Sequence, residues 1–287
     1  MKKVLVTGAK GQLGRCIADA TSRFPTLTCT FIAKETLDIN NTTAVHEFFT
    51  NNEFDYCINT AAYTNVEQAE EQTEQAMAVN AEAVKVLANA CKKHHITLLH
   101  ISTDYVFDGT QDRPYVETDA TNPLNVYGAS KLKGEQYLQK YSERFFIFRT
   151  SWLYSQYGHN FYKTILRHAD AGTDLTITTE QTGTPTNAND LAKALLAVIA
   201  SESTAYGLYH YSNSGEATWY DFAKAILEFS EQIAKTTLAQ TAHYRTFAAR
   251  PEYSVLDTTK FKNTFNNNPL PWKESLRELV ATHTTNN

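Results

Sequence analysis

No stretch of this chain is apolar for long enough to cross a membrane. No basic start followed by an apolar core precedes the first predicted strand, so no leader is expected and the protein reads as cytoplasmic. Cysteine is scarce: Cys16, Cys29, Cys57 and Cys91 are the four, and none are in C-x-x-C spacing. No histidine cluster offers a metal site either. Cys29 and Cys57 fall in predicted strands as small core residues, and the compartment is expected to be reducing. Basic charge is not in excess. The formal net charge of −5 disfavours a nucleic-acid polymer or a polybasic contact with membrane. It leaves room for an anionic small molecule, which needs only a local positive site. There is no internal repeat, low-complexity segment or obvious linker.

What is present is an ordinary globular composition, 42% apolar and 20% charged over 287 residues. That length suffices for one large domain or two smaller ones with a real core. Val4 to Thr7 is a short β-branched-rich run that predicts a buried parallel strand. Gly8, Gly11 and Gly14 follow at once in G-x-x-G-x-x-G spacing, and Arg15 to Ser22 continues as a helix. Glycines between a strand and a helix are the context that a dinucleotide site requires. Gly8 permits the tight turn, Gly11 lets backbone N–H groups approach a pyrophosphate, and Gly14 allows close helix packing. The helix N-terminus adds a partial positive charge. A plain glycine-rich turn is the competing reading.

Leu27 to Ile32 predicts the second strand, ending in Ala33-Lys34-Glu35 rather than a ribose-binding Asp. Lys34 could meet a 2′-phosphate, which leans toward NADPH, or be a solvated lysine. Asp38 and Ile39 could flank an adenine ring, before a helix from Thr42 to Asn51. Tyr56 to Asn59 predicts a third strand, running into the small residues Ala61 and Ala62 and then Tyr63. Glu67 to Glu71 reads as a solvated charged face. Met77 to Lys93 predicts one helix with Asn80 inside it, and Ile96 to Ile101 a fourth strand. A polar loop between Phe107 and Pro123 is long enough to be a lid or a substrate edge. Phe145 to Arg149 predicts another strand, so strands and helices alternate to about residue 150. Later come a helix from Phe161 to Ala171 and a helix to Ala200 capped by Asn189 or Asp190. A strand follows at Gly207 to Ser212, then a helix from Trp219 to Gln232.

The expected fold is α/β: a Rossmann-like, doubly wound parallel sheet over residues 1–155. Residues 156–287 are expected to form a smaller C-terminal substrate-binding lobe, interleaved with late pieces of the sheet.

The strongest chemical signal is Tyr127, with Lys131 one helical turn later on the same face. Thr103 stands where the fourth strand ends. A free tyrosine has a pKa near ~10, and a lysine cation beside it favours the phenolate. The three groups together could pass one proton to or from an oxygen. A chance helical pair is the alternative for Tyr127 and Lys131 taken alone.

With the glycine turn, Thr103 and Tyr127-x-x-x-Lys131 in place, the sequence resembles the extended short-chain dehydrogenase/reductase family. More narrowly it is similar to the dTDP-4-dehydrorhamnose reductase family. The supporting stretches are Ser102-Thr103-Asp104-Tyr105-Val106-Phe107, Pro123-Leu124-Asn125-Val126-Tyr127-Gly128, Phe148-Arg149-Thr150-Ser151-Trp152, Gly183-Thr184-Pro185-Thr186 and Ala249-Arg250-Pro251. The resemblance implies hydride transfer from NADPH or NADH to the C4 ketone of a dTDP-4-keto-6-deoxy-L-sugar. The product would be dTDP-L-rhamnose, a polysaccharide precursor. It implies that Tyr127 gives a proton to the developing alkoxide. Lys131 would lower the pKa of Tyr127 and hold the nicotinamide ribose, and Thr103 would orient the same oxygen. By the same matching, Gln12, Leu13, Asp38, Ile39, Ala61, Ala62 and Tyr63 line the cofactor, and Asp104 and Trp152 touch the sugar nucleotide. Core packing is the alternative for Trp152. Arg250 either faces the diphosphate or forms a surface ion pair. Some members dimerise around Mg²⁺ held by acids, one just after the glycine turn. Here Arg15-Cys16 stands there, so no metal is expected, while a homodimer remains open. Two other readings stand beside this one. The first is a sugar-nucleotide epimerase or dehydratase of the same superfamily. The second is a non-catalytic NADP-binding subunit resembling the β subunit of methionine adenosyltransferase.

Overall fold

Val4, Leu5 and Val6 are apolar in succession and completely buried, because helices cover both faces of the strand they form, β1 (Lys2–Thr7). The protein is described by a computed structural model covering residues 1–242 and 246–285. β2 (Leu27–Ile32), β3 (Tyr56–Asn59), β4 (Thr97–Thr103) and β5 (Phe145–Thr150) join β1, and a strand at Gly207–His210 completes the sheet. All neighbours are parallel. From one edge the order is β2, β1, β3, β4, β5, then Gly207–His210. The chain steps from β1 out to β2, then returns past β1 to β3. That reversal creates a crevice at the carboxyl ends of β1 and β3, where doubly wound folds bind ligands.

Side chains alternate between the two faces. Val4, Val6, Ile58, Leu99, Phe146 and Phe148 meet the helices Gln12–Ala20 and Ala188–Ala200. Leu5, Cys57, Leu98 and Ile147 meet the helices Thr42–Asn51 and Ala83–Lys93, with Leu138 from the helix Val126–Tyr141. A third core, around Tyr162, Phe222, Ile226, Trp272 and Leu276, lies between the helices Phe161–Asp170, Trp219–Phe229 and Trp272–Thr285. Residues 243–245 and 286–287 of the expected 156–287 lobe lie outside the described residues.

Three local expectations are corrected. The helix expected from Met77 to Lys93 is interrupted: Thr73–Met77 leads into a π turn at Ala78–Glu82 before Ala83–Lys93 begins. The turn lets Asn80 reach across, bonding both the N–H and the carbonyl of Tyr63 and the Ser130 hydroxyl. The helix to Ala200 is capped by Asn187, whose side chain accepts from the Asn189 N–H, and not by Asn189 or Asp190. Asp190 is inside the first turn, where it accepts from Ser275 and Asn213 of distant segments. The acids Glu67 and Glu70 are not merely solvated. Glu67 accepts from the N–H groups of Phe247 and Ala248 and pairs with Arg250, and Glu70 accepts from the Val126 N–H.

Candidate active site

The helix Val126–Tyr141 starts where it does because its first donors have partners. Asn125 caps it, accepting from the Gly128 N–H at 2.8 Å, and the Glu70 carboxylate takes the Val126 N–H at 2.8 Å. Glycines let the helix sit low on its neighbours. A β-carbon at Gly128 would collide with the Tyr105 carbonyl, and one at Gly134 with the Asn80 carbonyl. The helix is thereby held against the end of β4.

At that junction Thr103 ends β4 and caps a short 3₁₀ turn, Asp104–Val106. Its hydroxyl accepts from the Tyr105 N–H at 3.2 Å and donates to Asp104 at 3.0 Å. The phenol of Tyr127 and the hydroxyl of Thr103 face the same cavity, so the two groups placed apart in sequence come together. The Tyr105 ring stands edge-on to that of Tyr127, with centroids 6.0 Å apart. Asp104 is buried, and its other oxygen accepts from Ser254 at 2.7 Å. Burial pushes its carboxyl up to about 6, against the pull of these hydrogen bonds.

Lys131 is buried, and its ammonium donates to the Ile101 carbonyl at 2.5 Å. Burial draws it down to about 8, and the charge of Glu135 acts the other way. Burial pushes the phenol of Tyr127 up to about 12, against the pull of the neighbouring Thr103 hydroxyl, while the Lys131 ammonium is directed at a backbone carbonyl.

These groups wall a cavity of about 590 Å³ at the switch point of the sheet. Gly11, Gln12 and Leu13 line it on one side, Thr103, Asp104, Tyr127 and Lys131 on another. Thr60, Ala61, Ala62, Lys10 and Gly11 are shared with an adjoining cavity of about 360 Å³ that Gly8, Lys34, Asp38, Ile39 and Tyr63 line. The two therefore form one groove. Of the residues expected at a cofactor, Gly14 alone does not line it. A β-carbon there would lie 2.6 Å from the Gly8 carbonyl, so this glycine serves the packing of the helix on its own turn.

The groove fits a dinucleotide. Gly8 has φ +70°, and a β-carbon on it would come 2.7 Å from the Ala61 N–H. Gly11 caps the helix Gln12–Ala20 with no side-chain bond, and no acid lies in its first turn. Its leading N–H groups thus suit an anion. Lys10 pairs with Glu35 and Lys34 with Asp38 at the outer end, all four partly or largely exposed. Among the described residues, no group of three or more His, Cys, Asp or Glu is placed to hold a metal ion.

Trp152 lines the inner cavity in a left-handed conformation, φ +45°. Its ring is stacked on Trp219 with centroids 3.6 Å apart and planes 6° from parallel. Gly183 lies under the ring, where a β-carbon would come within 2.6 Å. Trp219, anchored by its indole N–H on Gln181 at 2.9 Å, also lines the cavity. Nothing in the local sequence around Trp219 marks it as a wall residue, since it opens a helix far along the chain. Gln12 and Asn160 are similarly joined, at 2.6 Å, by a segment that folds back over the glycine turn. Arg250 is not on the cavity wall: its guanidinium meets Glu67 at 2.7 Å, the ion-pair alternative.

A parallel sheet with a glycine turn at its switch point, opening onto Thr103, Tyr127 and Lys131, defines a dinucleotide-binding fold of the short-chain dehydrogenase/reductase kind. The chain belongs to the RmlD substrate binding domain family, whose profile matches residues 1–285. The dTDP-4-dehydrorhamnose reductase of Aggregatibacter actinomycetemcomitans is 40% identical, over 98% of this chain and 99% of that protein. The structure of a dTDP-4-dehydrorhamnose reductase from Clostridium acetobutylicum superposes with a TM-score of 0.92 at 37% identity, over 98% of this chain and 99% of that one. The Bacillus anthracis reductase, solved in complex with NADP, gives a TM-score of 0.92 at 34% identity with the same coverage. No helix among the described residues is long and apolar enough to cross a membrane.

Proposed function

We propose that this chain is a dTDP-4-dehydrorhamnose reductase, reducing dTDP-4-dehydro-β-L-rhamnose to dTDP-L-rhamnose with NADPH or NADH. The observation that carries this reading is the meeting of Thr103, Tyr127 and Lys131 in a cavity continuous with the dinucleotide groove. The reduced nicotinamide, when bound, supplies the hydride for C4. Gly8, Gly11, Gln12, Leu13, Ala61, Ala62 and Tyr63 hold the dinucleotide, with Asp38 and Ile39 at its adenosine end. Thr103 holds the ketone oxygen by turning its hydroxyl proton to it from Asp104, the acceptor it now faces. Tyr127, a protonated phenol at neutral pH, gives that oxygen its proton as the alkoxide develops. Lys131 supports the phenolate left behind and binds the nicotinamide ribose. Asp104 acts through Thr103, to which it is bonded. Trp152, backed by Trp219, presents an aromatic face to the sugar. Arg250 reaches a diphosphate only by exchanging its pair with Glu67.

The test is absorbance at the reduced-nicotinamide band with dTDP-4-keto-L-rhamnose and either cofactor. Steady decay is expected. Faster decay with NADPH than with NADH assigns Lys34 or Lys10 to a 2′-phosphate. Binding of both cofactors without any decay overturns the reading, in favour of an epimerase or a nucleotide-binding regulatory subunit.

A further inference from the structure

One helical turn beyond Lys131, and on the same face, stands Glu135. Its carboxylate is almost wholly buried and takes three donors: the Ser102 hydroxyl at 2.5 Å, Arg149 Nε at 2.9 Å and an Arg149 terminal nitrogen at 2.7 Å. Ser102 and Arg149 are register partners on β4 and β5, one position before Thr103 and Thr150. A single carboxylate thus ties the helix of Tyr127 and Lys131 to the strand that ends in Thr103. Arg149 is held in turn by His210 at 3.5 Å and lies over the Phe107 ring.

We infer that Glu135 is a positioning residue for the proposed reduction, setting the height of the Tyr127 helix on β4 and placing a carboxylate one helical turn from the Lys131 ammonium. The inference rests on the reductase reading and concerns a group that touches neither the cavity nor a ligand. Fold stability alone does not account for such a pair, because well-packed apolar residues often serve as well as a buried ion pair. The groups around Lys131 make the electrostatic role specific. Tyr127 on the same helix is a neutral phenol at working pH. His100 on β4 is kept neutral by burial. Asp104, beyond the end of β4, is engaged by Thr103 and Ser254, and Arg149 on β5 is matched by Glu135 itself. Glu135 is the carboxylate whose charge opposes the burial of Lys131.

The experiment is the pH profile of kcat/KM for the full chain, wild type beside Glu135→Gln. The wild type should lose activity as pH rises through about 8, where Lys131 gives up its proton. In Glu135→Gln that limb should move down by about one pH unit, with about a fivefold loss at pH 8 and a much smaller one at pH 6. Because this variant leaves Arg149 buried and alone, Glu135→Leu/Arg149→Met is measured as well, and a smaller downward move in the same direction is expected, since both charges are gone. NADPH fluorescence titrations over the same pH range follow Lys131 at the ribose independently of turnover. A wild type that binds NADPH but never turns over condemns the reductase reading. A wild type that turns over, with variants whose rate falls equally at every pH, condemns the role given to Glu135.

Discussion

Gly128 lies with its α-carbon against the carbonyl of Tyr105, and no side chain fits between them. The contact matters because the preceding residue is Tyr127. Glycine inside a helix costs about 1 kcal/mol relative to alanine, so helix propensity alone does not explain its place. What it permits is a close approach of helix to strand end, the approach that brings the phenol to Thr103.

Gly128→Ala should therefore move the helix outward. A loss of about 1–3 kcal/mol in stability is expected, together with a drop in turnover well beyond that of a surface alanine variant. Chemical denaturation and steady-state rates check this. Full activity with unchanged stability would mean that the helix tolerates the shift and that its height is not critical.

Tyr127→Phe removes the phenolic proton and little else, because the ring keeps its contact with Tyr105. Turnover should fall at least about 10²-fold while NADPH affinity stays near that of the wild type. Turnover close to wild type would rule out Tyr127 as the acid.

Trp219→Leu removes the partner that holds the Trp152 ring. The close stack of two indoles should give a near-ultraviolet circular dichroism couplet that this variant loses. Aromatic pairing is worth about 0.5–1.5 kcal/mol, so KM for the sugar nucleotide should rise about two- to tenfold with less change in kcat. An unchanged KM would remove Trp152 from the sugar wall.

Asp104 carries a linkage prediction. Its folded carboxyl is raised to about 6 from an ordinary 3.8, so the native state holds this proton more tightly than the unfolded chain. The stability it contributes is present below pH 3.8 and is lost as pH rises through about 6. Relative to Asp104→Asn, the wild type should lose about 2–3 kcal/mol across that window. Urea unfolding of both proteins between pH 4 and 8 measures the difference, and parallel curves would contradict it.

The parts of the fold that rest on local pattern were legible. β2, β3 and the helix Thr42–Asn51 have the bounds that their apolar runs and turn residues predict. The glycine turn and the Tyr127–Lys131 spacing pointed to the groove for the same reason, since a strand, a turn and one helical turn are short-range objects. The misses were long-range. Asn80 could be seen as a polar residue inside a helix, but its bonds to Tyr63 and Ser130 cross between elements. Glu67 looked solvated because its partners, at Phe247, Ala248 and Arg250, are far along the chain. Trp219 carried no signal, since stacking on Trp152 depends on how the second half folds back.

The chain's own order of residues settled the doubly wound sheet, the glycine turn at its first crossover and the one-turn step from Tyr127 to Lys131. Each follows from the 2.0 and 3.6 periodicities and from the backbone freedom of glycine. Tertiary structure alone settled that Thr103 and Tyr127 line one cavity, that Lys131 turns to the Ile101 carbonyl and that Glu135 answers Arg149. Those are matters of burial and counter-charge, and they depend on groups that only packing brings together.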